Sequence, residues 1–169
     1  MKKADYIKYL QLQPHPEGGW YRQIYHSDDH FVPSTVNQER YYYTSIYFLL
    51  DTKSPSHFHR LKHDELWYYH AGDPITIYCL LPDGSASQTI LGPHLEKGEQ
   101  LQFRVSAGTI LGSAVNEAGF SLVSCAVAPG FDYHDFEIFD QQTLLAQYPD
   151  QRRVIERLAY QQIPADSAN

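Results

Sequence analysis

From Tyr41 to Ala128 the chain is cut into short aromatic and β-branched runs, each closed by glycine, proline or a polar turn. The runs are Tyr41 to Leu50, His57 to Leu61, Glu65 to Ala71, Ile75 to Leu81, Ser87 to Leu91, Leu101 to Val105, Gly108 to Ala114 and Gly119 to Ala128. Pro82-Asp83-Gly84 has the chemistry of a hairpin turn. Gly92-Pro93, Gly98, Gly108 and Pro129-Gly130 punctuate the rest. Many short strands at this spacing predict a sandwich or barrel. In Tyr41 to Leu50 both parities are largely apolar, so this strand is expected to be covered on both faces.

The flanks complete the outline. Ala4 to Leu12 carries Ile7 and Leu10 at helical spacing and is stopped by Pro14 and Pro16. Trp20 to Ser27 alternates as a strand, and the polar stretch Asp28 to Glu39, with Pro33, reads as a surface loop. Leu144, Leu145 and Tyr148 predict one helix opening near Asp140; Val154, Ile155 and Leu158 predict another after Pro149-Asp150. Asp140 and Asp150 are the expected N-caps. The reading is one mainly β domain over residues 1–169: strands over about 18–139, a helical tail over about 140–163, and a loose end from Pro164 to Asn169.

Composition narrows the partners. A net charge of −7 argues against a phosphate-backbone binder, which needs a basic face, so no nucleic-acid partner is expected. No run approaches the roughly 20 apolar residues of a membrane span, and Met1 to Asp5 leads into no apolar signal segment. No membrane partner is expected, and the cytoplasm is the expected compartment. Cys79 and Cys125 each sit in an apolar run, as buried thiols do.

The chemistry concentrates in Ser56-His57-Phe58-His59, Glu65 and Gly72. Histidines two apart on a strand share a face, and a carboxylate on the next strand can meet them. Imidazole and carboxylate converging in this way make a metal site or an acid–base pair. Glu65 shares its parity with Trp67 and Tyr69, whereas His70 has the opposite parity and is expected to point away. His63, His94 and His134 lie near turns and are expected in solvent. Glu17-Gly18-Gly19 is a sharp turn that either delivers Glu17 to a pocket mouth or merely starts a strand. The sequence has no dinucleotide or Walker glycine pattern and no Gly-x-Ser-x-Gly.

His57-Phe58-His59, Glu65 and Gly72 resemble the first signature of the cupin superfamily, with the expected six residues between Glu65 and Gly72 but five, one too many, between His59 and Glu65. His15 to Arg22, Thr44 to Leu50, Asp64 to Pro74 and Val127 to Asp132 are similar to an uncharacterised cupin subfamily whose fold is like the jelly roll of deoxysugar-nucleotide epimerases. The resemblance implies a cupin-type jelly-roll barrel, a pocket between its faces, a small-molecule ligand and a homodimer. It also implies metal ligands at His57, His59 and Glu65, but Leu111 stands where the fourth would be. Two departures in one ligand set favour a site without metal. The leading expectation is a binder of a small polar metabolite with isomerase or epimerase chemistry. His59 would be the base, Glu65 its partner, and Tyr47 or Tyr69 the source of the returning proton. His57, Trp67, Glu17 and Arg60 are the expected ligand contacts. The alternatives are a metal-dependent oxygenase or isomerase holding Fe, Mn, Ni or Zn, and a non-catalytic sensor or storage module.

Overall fold

A computed structural model of the chain describes residues 1–164. Of the expected loose end from Pro164 to Asn169, residues 165–169 lie outside the described residues. The helix α1 (Lys3–Tyr9) comes first, followed by β1 (Gln13–Pro14), β2 (Trp20–His26), β3 (His30–Phe31), β4 (Arg40–Tyr41) and β5 (Thr44–Asp51). Next come β6 (Ser56–Leu61), β7 (Asp64–Gly72), β8 (Ile75–Leu80) and β9 (Ala86–Leu91). The chain then runs through β10 (Gln102–Val105), β11 (Ile110–Val115), β12 (Phe120–Ala128) and β13 (Phe136–Ile138) to α2 (Gln141–Gln147) and α3 (Arg152–Leu158).

Two antiparallel sheets face each other. One has the order β1-β2-β5-β12-β7-β10 and the other β13-β6-β11-β8-β9, with β3 and β4 pairing separately. The sheets do not close into one hydrogen-bonded barrel, so the architecture is a jelly-roll β sandwich. Between them lies the main core, built from inward residues such as Phe48, Trp67, Ile77, Leu91, Leu111 and Val123. The outer face of the second sheet is covered by α2 and α3, whose Leu144, Ile155 and Leu158 pack on Phe58, Leu80 and Ile110. The outer face of the first sheet carries Leu49 and Leu122, covered by Leu12 and by Ile7 of α1. Both faces of β5 are therefore apolar because both are covered.

Three local expectations change. Residues 28–39 are not wholly loop, because His30–Phe31 pairs with Arg40–Tyr41. Phe136–Ile138 is a further strand, paired with β6 and too short to register as a sequence period. Asp140 accepts a hydrogen bond from the Thr143 N–H as an N-cap should. Asp150, however, lies inside a 3-10 turn, and the residue before α3 is Gln151. Cys79 and Cys125 are free and buried.

Candidate functional site

At one end of the space between the sheets the core gives way to a cleft of about 620 Å³, counting its open mouth. Its polar walls carry His15, Glu17, His59 and Glu65; Phe131 and Tyr133 also line it. Each polar group arrives by a definable local cause.

Glu17 is delivered by the turn between β1 and β2. Gly18 has φ +109°, and a Cβ there would run into the Pro55 carbonyl; Gly19 has φ +71°. Only glycine permits both the conformation and the approach. The turn is fastened to β6, where the His57 N–H donates to the Glu17 carbonyl at 2.7 Å. The Ser56 hydroxyl then donates to Glu17 Oε1 at 2.8 Å. Glu17 Oε2 lies 3.4 Å from His59 Nε2 and 3.7 Å from His15 Nδ1.

His59 is 1% exposed. Its Nδ1 lies 2.8 Å from the His57 carbonyl, which can only accept. Nδ1 therefore carries the proton, and the lone pair of the neutral ring sits on Nε2, facing Glu17. Burial lowers its pKa, partly opposed by Glu65 and by the His57 hydrogen bond. His15 has the other tautomer: the Glu17 N–H donates to its Nδ1 at 3.2 Å, so Nε2 carries the proton. Burial, with His59 nearby, holds His15 down at about 3.

Both acids move the other way. Burial raises Glu17 to about 8 against the Ser56 hydrogen bond. Burial also raises Glu65 to about 7, with His59 pulling down and Glu17 pushing up. Glu65 Oε2 is buried with no hydrogen-bond partner. The Trp67 N–H is near enough to favour the Glu65 anion but lies outside hydrogen-bond geometry. The Cys125 thiol beside Glu65 is raised by burial and by both glutamates, so it stays protonated and is no nucleophile.

His59, Glu65 and Glu17 thus face one hollow, while the other expected residues go elsewhere. Two residues of β6, His57 and Phe58, stand opposite the single Gly112 between the pairs Ser56–Ser113 and His59–Leu111. This β-bulge breaks the alternation, so Ser56 and His59 face inward and His57 does not. The His57 ring lies 3.7 Å from that of Tyr160, and its Nδ1 donates to the Leu158 carbonyl at 2.9 Å. Tyr47 lies on the outer face of β5 in the α1 cluster, with the His70 ring edge 6.0 Å away. Tyr69 does turn toward the core, but it lies roughly 13 Å along β7 from Glu65, and its hydroxyl donates to the Gly72 carbonyl at 2.6 Å. Trp67 is fully buried core packing beneath the cleft, edge-on to Phe48. Arg60 points outward, ion-paired with Glu137 and lying over the Phe139 ring at 5.2 Å. His94 and His134 are exposed as expected. His63 is not: it is 5% exposed, against Thr35 and Asp135.

The cleft also holds residues the sequence did not single out. His15 shares parity with Glu17, and Tyr21 and Gln23 share parity on β2; that alternation was the available signal. Tyr133, which lines the cleft with Tyr21, comes from the loop after β12 and left no periodic trace.

Residues 4–139 match the family model described as Cupin superfamily (DUF985). The chain belongs to the cupin superfamily. It is similar to a hypothetical protein from Leishmania major, with 42% identity and a TM-score of 0.90 over 95% of this chain and 100% of that one. It is also similar to a crystallised protein from Shewanella oneidensis, with 48% identity and a TM-score of 0.90 over 96% of this chain and 99% of that one. A variant of Bacillus subtilis oxalate decarboxylase shares the fold at 14% identity and a TM-score of 0.53, covering 90% of this chain and 40% of that one. No curated protein matches the sequence.

The metal set expected of a cupin does not assemble in this one. His57 is turned to the helical side, and Leu111 is 1% exposed within the apolar core. Among the described residues, no three His, Cys, Asp or Glu side chains are placed to hold a metal ion. The residues present do not fit the metal site of that signature.

Proposed function

We propose that this cupin binds a small polar metabolite in the cleft and moves a proton on it, as an isomerase or epimerase does. The observation that carries this reading is the fixed His59 tautomer, which leaves a basic Nε2 facing the hollow with Glu17 at 3.4 Å. Because burial keeps the imidazole neutral, it is ready to accept a proton at neutral pH. In this mechanism the C–H bond beside a substrate carbonyl breaks, and the proton goes to His59 Nε2. The electron pair moves to the carbonyl oxygen, which takes a proton from Glu17. Glu65 faces the resulting imidazolium and stabilises it. The His59 proton then returns to carbon and the enol O–H proton returns to Glu17, which restores the enzyme. The turnover role given to Tyr47 and Tyr69 falls away with their positions, and the pocket hydroxyls belong to Tyr21 and Tyr133.

The test is solvent exchange. Candidate carbonyl metabolites are incubated with the protein in D2O, and deuterium entry is followed by NMR. His59→Gln should lower the exchange rate by roughly 10²- to 10⁴-fold with folding unchanged. Undiminished exchange in His59→Gln would end the proposal. A metabolite that binds tightly but never exchanges would favour a sensor.

A further inference from the structure

The cleft is unusual in what its walls withhold. Among the described residues lining it there is no lysine or arginine, although two glutamates are buried there. An anionic ligand would meet these carboxyls with no positive side chain to balance it. The fold does pair a buried acid where pairing is structural. Asp135, 5% exposed, receives two hydrogen bonds from the Arg40 guanidinium, at 2.7 and 3.1 Å. Glu65 receives no such partner. The Glu65 carboxyl lines the hollow, and its Oε2 is a buried acceptor with no donor in hydrogen-bond geometry, which native proteins rarely leave unsatisfied. The mouth adds two aromatic rings, Phe131 and Tyr133, set edge to face with centroids 5.0 Å apart. Ring faces attract cations.

We infer that the molecule bound here carries a protonated amine, which donates to the Glu65 carboxylate and is flanked by the aromatic mouth. This rests on the reading of the cleft as a metabolite site and names the ligand's charge class. One ammonium against one carboxylate leaves the cleft neutral, while Glu17 keeps its proton and its role as the acid. Burial favours the protonated form of both glutamates, and a cation beside them would favour their anions. Its arrival drives Glu65 to the anion, so binding near neutral pH releases a proton.

The probes are ethanolamine, ethylene glycol and glycolate, which share one two-carbon skeleton and differ in charge. Calorimetry in buffers of different ionisation heat reads both affinity and proton release. Ethanolamine is expected to bind most tightly and to release protons, and Glu65→Gln should weaken it by roughly tenfold or more. Equal or tighter binding of glycolate or ethylene glycol overturns the inference, and so does an absence of ethanolamine binding or of proton release. These readouts are independent of deuterium exchange. An amine failure leaves the His59 chemistry standing, and an exchange failure leaves an amine-binding cleft.

Discussion

Asp135 and Glu65 are both buried carboxyls beside a histidine, yet their proton affinities move in opposite directions. Burial works against the Asp135 anion, but the hydrogen bonds and charge of Arg40, then Lys62 and His63, outweigh it and hold the acid low. Burial also works against the Glu65 anion, and there His59, the Trp67 N–H and the Cys125 thiol offset it only in part, with no guanidinium or ammonium of the described residues beside the acid, so it rises to about 7. Burial alone therefore does not distinguish a structural acid from a chemical one. The counter-ion does. The Arg40 cluster is a finished fastening that ties three loops together. The cleft cluster is unfinished, and a ligand can complete it.

The largest expected effect tests the finished side. Arg40→Met takes both guanidinium hydrogen bonds and the nearest counter-ion from buried Asp135, leaving only Lys62 and His63 beside it, which should cost about 3–5 kcal/mol. Urea unfolding at neutral pH reads this directly. Because Asp135 has a depressed pKa, its contribution is present above the ordinary carboxylate range and fades as pH falls below it. The deficit of the variant should therefore shrink in acid. The damage should also reach the cleft, since Arg40 lies 3.8 Å from Asp132, which sits between Phe131 and Tyr133 and caps the turn Tyr133–Asp135 by accepting from the His134 N–H. A variant as stable as the parent would erase the distinction between the two clusters.

The next effect has the opposite sign. Glu17 has a raised pKa, so its favourable contribution is complete below about 4.5 and is lost as pH rises toward about 8. Glu17→Gln removes that loss while its amide oxygen can still accept from Ser56. Near pH 8 the variant should be more stable than the parent by roughly 4 kcal/mol, with little difference near pH 4. Proton transfer should fall in the same variant. Parallel stability–pH curves for the two proteins would mean that Glu17 is as well paired as Asp135.

How much of this was legible follows from the range of each interaction. The two-sheet architecture was written in local signals: runs of aromatic and β-branched residues, a Pro-Asp-Gly turn, and two-sided apolarity in β5. His59 and Glu65 were legible because each side chain's face follows from strand parity, and Glu17 because two glycines marked its turn. The Arg40–Asp135–His63 cluster was not, since it joins residues about 70 to 95 positions apart with no period to reveal them. Tyr47 and Tyr69 were misplaced for another reason. Parity gives a face, but it does not say which face encloses the hollow or how far along the strand the hollow extends.

His57 is the sharpest case, because a correct rule gave the wrong face. Alternation pairs it with His59, and a single bulge opposite Gly112 separates them. A Cβ at Gly112 would come 3.1 Å from the Phe58 ring, a tight contact that the glycine avoids. Turned outward, His57 fastens α3 through the Leu158 carbonyl and the Tyr160 ring. His57→Ala should therefore cost about 1–2 kcal/mol through that hydrogen bond and ring contact. In a chain of this length that is a fall in Tm of roughly 2–8 °C. Deuterium exchange should stay within about twofold of the parent, because His59 keeps its tautomer by bonding the backbone carbonyl of residue 57, which alanine retains. Loss of exchange in a folded His57→Ala protein would return this side chain to the cleft and with it the two-histidine ligand set of the family.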